Sequence, residues 1–507
     1  MGRVAIVVLG LLAFVVCGRT ASIRPLWYDE RFTQFLARSN SVGELNAALA
    51  SGADLNPPLS YLFTKASVAI LGETNFAIRL PALIGGVVAM VSLHAFVRRR
   101  AGSTVATVAA TALILPEGVT HYFTEARPYG PMLGFAGLAL LLWQRIPAIG
   151  MGRLWPGMLF AAAMSLGMAT HYYFAVVVAA LGLAEVARIA TERKLNGVTA
   201  AAFLSPVLSL ALMRPLWGGP QKAYTDGFWA RVNPSPLEIA NVYFSYSDAV
   251  TLAVAILSLL LATLAAKSVS PVAPDEWPFA ERAALVAFAA IPFLAFGFSV
   301  AITKVYVPRY CLPFAIGMAG CAAISLGAMA KRPVVLWCIA ATFALGGLGV
   351  QYRWAADRGR DRAERLSQAI AQLNEVLGDQ PLVVEMAGPD RIDFAIHGGR
   401  STYRPILLLD VEEARRRDGQ DTVDRGSLAL AAMAGLATAT FDDVVEEIRS
   451  GRCQFYLGSF RHWRAKRLEG QGVTFEVVRE IETNRLGGIG FRQQPPATLY
   501  RMRLEKP

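Results

Sequence analysis

Charge is scarce in this chain and unevenly spread. Only 17% of its 507 residues are Asp, Glu, Lys or Arg, and stretches such as 105–115, 252–266 and 283–301 hold almost none. Soluble domains do not carry apolar residues in such uninterrupted runs, and here 54% of the chain is hydrophobic. A bilayer core about 30 Å thick takes roughly 20 apolar residues to cross as a helix. Inside lipid only helices and closed barrels satisfy the backbone, and these runs are continuous rather than alternating. The fold class is therefore an α-helical polytopic membrane protein.

Cysteine is sparse as well. Cys17, Cys311, Cys321, Cys338 and Cys453 are scattered, four of them in apolar runs, and none forms a C-x-x-C pair. Neither a disulfide framework nor a zinc site is indicated. A basic patch with interleaved aromatics is also missing, which argues against nucleic acid as a partner despite a formal net charge of +11. Much of the positive charge flanks the apolar runs, where Lys and Arg fix orientation in the bilayer. Gly487-Gly488-Ile489-Gly490 completes no dinucleotide or phosphate-loop fingerprint and reads as a turn.

What is present is a long alternation of spans and loops. Residues 1–18 have a basic start and an apolar run but no A-x-A cleavage site, so a retained first helix is expected over 4–18. A polar, aromatic outer segment follows at 19–56. The apolar piece 57–72 is short and carries Lys65, which suits a helix lying at the outer interface. Spans are then expected near 76–96, 104–120, 129–143, 154–170, 173–189, 196–213, 249–266, 283–303, 311–329 and 334–350. With 4–18 they make about eleven crossings. They leave Arg98, Arg99, Arg100, Arg145, Arg153, Arg188, Arg193, Lys194, Lys267, Arg282, Lys331 and Arg332 on the inner side, as positive-inside topology requires. The outer loop 214–248 is rich in Trp, Tyr, Pro and Gly. Residues 351–507 change character. A helical repeat at Leu366, Ile370, Leu373 and Leu377, strand-like runs at 382–385, 405–409, 454–457, 473–478 and 499–504, and a helix at 441–449 predict a small extracytoplasmic α/β domain. Two domains follow: 1–350 in the membrane, with its first outer loop at 19–75, and 351–507 outside it.

The central thirds of the spans hold nearly no ionisable residue, whereas their outer ends collect Asp29, Glu30, Asp54, His121, Glu125, Arg127, His171 and Arg309. Transport pathways place such groups near mid-membrane; chemistry at one face has no such need. Asp29-Glu30 is a solvated loop on the structural reading and a general base on the functional one, since a carboxylate takes the proton of an attacking hydroxyl. Glu125 and Arg127 are either an ion pair beside the interfacial Tyr129, or Arg127 grips a phosphate with its guanidinium fork. Asn56 and Pro57 cap a helix start, with Tyr61 one turn on. His171-Tyr172-Tyr173 and Pro308-Arg309-Tyr310 end other spans on the same side, where tyrosines are ordinary belt residues.

Taken in order, Leu26–Glu30, Asn56–Tyr61, Gly72–Pro81, Tyr122–Tyr129, His171–Phe174 and Pro308–Tyr310 resemble the C-type membrane glycosyltransferases. The nearest branch is that of bacterial protein O-mannosyltransferase and aminoarabinose transferase relatives, and the similarity spans roughly residues 5–350. The resemblance implies inverting transfer of a monosaccharide from a polyprenyl-phosphate carrier to a glycan, lipid or protein acceptor, on the extracytoplasmic face of the bacterial inner membrane. It also implies Asp29 as the catalytic carboxylate with Glu30 its partner, Glu125 at acceptor or metal, Arg127 and Arg309 at phosphate, and Tyr129, Asn56, Tyr61, His171, Tyr172 and Tyr310 at substrate. Relatives often carry His or Lys where this chain has Asn56, which puts that position's role in question. Some relatives bind a divalent metal, though this composition does not indicate one. The alternatives are a lipid-linked glycan flippase, which needs a polar path through the bundle, and a non-catalytic scaffold, which leaves the outer-face cluster unexplained.

Overall fold

A computed structural model describes residues 2–146, 154–218, 228, 230, 235–246, 277–329, 333–385, 394–396, 402–419, 422–458, 463–481 and 497–505. The expected span at 249–266 and the glycine run at 487–490 lie outside the described residues, as does much of the outer loop 214–248. Among the described residues, four helices are long and apolar enough to cross a bilayer, or five when a bent pair counts as one span. The chain is a helical polytopic membrane protein with a small sheet domain at its C-terminal end.

Helix α1 (Gly2–Ile23) runs beyond its expected end. Two short helices follow, α2 (Tyr28–Ala37) and α3 (Val42–Ala50). The expected interfacial helix is α4 (Leu59–Leu71), which buries Ser60, Tyr61, Thr64 and Ser67 and leaves Ile70 80% exposed. Its N-cap is Pro58, not Asn56; the Asn56 amide instead donates to Asp54. Helix α5 (Asn75–Ile114) merges the two spans expected at 76–96 and 104–120, broken at Gly102, whose φ of 77° lies in the left-handed region that glycine adopts without strain. A turn of helix, α6 (Glu117–His121), precedes α7 (Tyr129–Arg145), α8 (Leu154–Thr170), α9 (Phe174–Glu192) and α10 (Gly197–Leu212). Then come α11 (Pro236–Ser245), the bent pair α12 (Phe279–Ala289) and α13 (Ile291–Phe298), α14 (Phe314–Met329) and α15 (Pro333–Val350).

Backbone approaches through small residues hold α5 against α7. A Cβ added at Gly134 would lie 2.8 Å from the Gly85 carbonyl oxygen, and one at Gly130 would lie 2.5 Å from that of Ala82. In lipid, such close packing supplies the attraction that the hydrophobic effect supplies in water.

Polar side chains gather at the two ends of this bundle. At one end Arg100 grips Glu281 (2.7 Å), Gln144 donates to the same carboxylate (2.8 Å), and Arg99 reaches the Gln144 carbonyl (3.1 Å). Close by in the sequence, Trp143 donates to Glu185 (2.8 Å), which pairs with Arg188 (2.6 Å). Arg99 and Arg100, expected on the inner side, thus meet at one cluster, and Arg188 lies at the neighbouring Trp143–Glu185 contact. Asp29, Arg127, His171 and Arg309 meet at the other end.

The C-terminal domain begins with α16 (Ala356–Leu377) and contains a six-stranded sheet ordered β3-β2-β1-β4-β6-β5. Strands β1 (Pro381–Glu385), β2 (Arg404–Leu408), β3 (Ala437–Ala439) and β4 (Phe455–Gly458) are parallel. Strands β5 (Val473–Ile481) and β6 (Ala497–Leu504) add antiparallel pairs. Helices α17 (Val411–Asp418), α18 (Thr422–Ala434), α19 (Phe441–Arg449) and α20 (Trp463–Glu469) connect them. Strand β3 and helices α17, α18 and α20 are absent from the sequence reading. Tyr28, Phe32, Phe35, Leu36, Leu45 and Leu49 of α2 and α3 share one hydrophobic core with Leu366, Leu373, Leu430 and Leu457. The boundary near 350 thus divides the sequence but not the packing.

Gly134→Val should lower the thermal unfolding midpoint of the purified protein, because overpacking costs about 1–3 kcal/mol. Gly182→Val on α9, where an added Cβ meets nothing within 4 Å, should leave the midpoint nearly unchanged. Equal midpoints for the two variants would remove the close α5–α7 approach as a source of stability.

Candidate active site

The first turn of α2 carries Tyr28, Asp29 and Glu30, and the two carboxylates have different surroundings. Glu30 is fully buried, and its oxygens are taken by the equally buried Arg79 of α5 through Nε (2.6 Å) and Nη2 (2.5 Å). The Ala126 N–H donates to one oxygen (2.7 Å), and the Trp27 N–H, at the start of α2, donates to the other (3.1 Å). Arg79 spends its remaining donors on the carbonyls of Ala21, Arg24 and Pro25. Burial alone would raise the Glu30 pKa; Arg79 and Arg24 outweigh it and bring the group down to about 2. Glu30, expected as the catalytic partner of Asp29, fastens the loop through its pairing with Arg79.

A second pair lies beside the first. The Arg127 guanidinium holds Asp54 bidentately, Nη1 at 2.5 Å and Nη2 at 3.2 Å, and Nη1 also donates to the Asp29 carbonyl (3.0 Å). Asp54 receives further hydrogen bonds from the Tyr61 hydroxyl (2.8 Å), the Leu55 N–H (2.7 Å) and the Asn56 amide (3.2 Å). Burial pushes the Asp54 carboxyl up, but Arg127 and these donors hold it below the usual carboxylate range. The fork of Arg127 is thus engaged by Asp54, so a bidentate grip on phosphate would have to displace that carboxylate. Tyr61 and Asn56 act on Asp54 and lie behind the site rather than at its surface.

Asp29 is held less tightly. Its Oδ2 lies 3.6 Å from Arg309 Nη2, and the two side chains keep 18% and 21% of their surface exposed. Burial raises the Asp29 pKa above its ordinary value, opposed by the charges of Arg309 and Arg127. The Arg309 guanidinium also stands 5.8 Å from the Tyr129 ring centre. His171 packs between Tyr129 and Tyr310, with ring centres 5.5 and 4.9 Å away. Its Nδ1 accepts from the Tyr173 N–H (3.0 Å), while Nε2 is buried with no partner among the described residues. Burial, then the charges of Arg127 and Arg309, lower the His171 pKa to about 3, so the ring is neutral and Nε2–H is a donor without an acceptor.

Glu125 takes a peripheral place. It accepts from His121 Nε2 (2.7 Å), and His121 Nδ1 faces Arg24 Nη1 (3.1 Å). Because Arg24 can only donate, the histidine accepts at Nδ1 and carries its proton toward Glu125. Tyr172, expected at substrate, packs with Met168, Met213 and Leu216, while Tyr173, the next residue, lies beside His171 and Tyr310. Among the described residues no three His, Cys, Asp or Glu side chains are grouped as a metal-ligand set.

Asp54, Arg79 and Arg24 are the participants that sequence reasoning did not assign. Their signal was present: Arg79 is a charge inside an apolar helix, and such a charge is retained only when paired.

Comparison with known proteins bears on the fold that carries this site. Residues 55–218 match the family model described as dolichyl-phosphate-mannose-protein mannosyltransferase, a segment that includes Arg127 and His171. Among solved structures, ArnT from Cupriavidus metallidurans in the apo state superposes with a TM-score of 0.62 at 13% identity, covering 98% of this chain and 97% of that one. The same protein bound to undecaprenyl phosphate gives 0.60 at 14% identity, covering 98% and 97%. The arabinofuranosyltransferase AftD from Mycobacteria gives 0.51 at 16% identity, covering all of this chain and 40% of that one. No curated protein matches the sequence. The fold is that of the C-type membrane glycosyltransferases, as the ordered motifs lead one to expect. The fold superposes on that of ArnT over nearly its whole length.

The folded pKa of Glu30 lies below its ordinary 4.5, so its contribution to stability is complete above that pH and is lost as pH falls toward 2. Glu30→Gln should destabilise the protein by about 3–5 kcal/mol, because it leaves Arg79 charged and buried without its counter-ion. Unfolding midpoints measured across this pH window check both statements; a variant as stable as the parent at pH 7 would remove the pair from the framework.

Proposed function

We propose that this chain is an inverting glycosyltransferase. It moves a monosaccharide from a polyprenyl-phosphate carrier to an acceptor hydroxyl at the extracytoplasmic face of the bacterial inner membrane. The observation that carries the reading is Asp29, a carboxylate of raised pKa with one oxygen facing Arg309, on a partly open surface at the end of an ArnT-like bundle. Undecaprenyl phosphate, bound by the ArnT structure, is the model for the donor's lipid and phosphate.

In this scheme the acceptor oxygen attacks the anomeric carbon on the face opposite the phosphate, and its proton passes to the Asp29 carboxylate. The sugar–phosphate bond breaks, its electron pair stays on the phosphate oxygen, and Arg309 meets the charge that develops there. Stabilising a leaving group's charge by a fixed cation is where such a site gains most. Arg127 enters indirectly: it holds the Asp29 carbonyl and Asp54, and so sets the carboxylate's position. His171 offers a neutral N–H among the tyrosine rings, suited to a sugar hydroxyl. Glu125 stands toward the acceptor side.

Asp29 acts only when ionised, so the transfer rate should fall on acidification at a pH above the ordinary 3.8 of an aspartate. Asp29→Asn should cut the rate by about 10²–10⁴-fold, the contribution of a positioned general base, with the protein still folded in the membrane. Transfer is read by incubating the purified protein with lipid-linked sugars and envelope acceptors, and mass spectrometry of envelope glycans from a deletion strain names the sugar lost. Wild-type turnover by Asp29→Asn would remove this residue from the mechanism.

A further inference from the structure

The residues before and after Asp29 are held by different parts of the protein. On one side Glu30 is fixed to Arg79 in the membrane bundle. On the other, Tyr28 leaves the bundle and enters the C-terminal domain. Its hydroxyl donates to the Val423 carbonyl (2.9 Å) and meets Ser427 Oγ (3.2 Å), both on α18. Phe32, one turn further along α2, packs edge-on against the Tyr28 ring at 5.2 Å. These two aromatics lie against Gly426: a Cβ added there would stand 3.0 Å from the Tyr28 hydroxyl and 3.1 Å from Phe32 Cζ. Tyr28 and Phe32 thus meet α18 at a position where any side chain would crowd them.

Helix α18 is itself tied down from behind. Its Asp424 pairs with Arg464 of α20 in a contact that is almost wholly buried. Arg464 Nη1 reaches Glu385 at the end of β1 (3.4 Å), and the Tyr456 hydroxyl of β4 donates to the same carboxylate (2.9 Å). A continuous set of contacts therefore runs from the centre of the sheet, through Arg464 and Asp424, along α18 to Tyr28, and by one peptide bond to Asp29. The buried charges are poor sources of net stability, since removing them from water costs as much as their attraction returns; what they supply is a fixed geometry.

We infer that the C-terminal domain is a positioning element for the transfer reaction: α18, through Gly426 and Ser427, sets the place of the first turn of α2 and hence of Asp29 opposite Arg309. The inference rests on the proposed role of Asp29. Tyr28, Gly426, Asp424 and Arg464 are positioning residues; none of them touches the reacting atoms.

The test uses full-length protein in lipid nanodiscs and two variants: Tyr28→Phe, which keeps the ring and removes the hydroxyl bonds, and Gly426→Val, which drives a side chain into Tyr28 and Phe32. Val477→Ser, on the exposed face of β5, is the control. Hydrogen exchange of the α2 amides should rise about tenfold in both variants, as expected when a local closing contact is lost, with α5 and α7 amides unchanged. Transfer from the pooled lipid-linked sugars of native membranes should fall on the order of a hundredfold in Gly426→Val, the cost of misplacing a reacting group by about 1 Å. Binding of undecaprenyl phosphate should hold within about twofold, because a positioning loss alters the reacting geometry and not the ground-state grip. The control should match wild type throughout. Unchanged α2 exchange in both variants overturns the inference, as does loosened exchange with an undiminished transfer rate. A wild-type protein that transfers no sugar, yet whose variants loosen α2, refutes the enzyme reading and leaves the mechanical link standing.

Discussion

The Glu30–Arg79 pair is the constraint on which the site depends. Both groups are fully withdrawn from solvent, where an unpaired charge would be intolerable. The pair survives because its own groups find partners: the carbonyls of Ala21, Arg24 and Pro25 for Arg79, and the N–H groups of Trp27 and Ala126 for Glu30. These partners come from the end of α1 and the turn after it, the start of α2, and the turn before α7. When they close on one carboxylate, the direction of α2, the start of α5 and the turn leading into α7 are fixed together. Asp29 and Arg127 then have little freedom left.

Around that lock the molecule separates its polar work into two ends. Apolar helices packed through glycine and alanine fill the space between, and ion pairs such as Arg100–Glu281 and Glu185–Arg188 hold the far end. The division of labour is visible in the acids of the site. Glu30 and Asp54 are saturated by arginine forks and depressed in pKa, while Asp29 has one distant partner and a raised pKa. Residues of one chemical type are thus given different electrostatic surroundings by their partners.

Much of this was legible in the amino-acid order. Long apolar runs placed α1, α5 and α7 to α10, and the alternation of charge at their ends put Arg99, Arg100 and Arg188 on one side and Asp29, His121 and Arg309 on the other. Period-two runs gave most of the sheet. Tertiary choices were not legible. Asn56 looked like a cap, yet its amide goes to Asp54. Tyr172 and Tyr173 are equivalent as letters, and only the turn between α8 and α9 decides which ring borders the site. Arg127 was expected to grip phosphate because nothing in its local sequence announces Asp54, far away in the chain. Helix α18 escaped because Gly426 interrupts its pattern, and that glycine is explained only by the aromatics of α2.

The break in sequence between Asp29 and Arg309 has a consequence for biogenesis. Ribosomes deliver the N-terminal part first, so the carboxylate reaches the membrane early, while its cationic counterpart waits for the late spans. On the proposed scheme, a chain halted part-way through insertion holds the carboxylate without its cation, so transfer waits until nearly the whole bundle is in place.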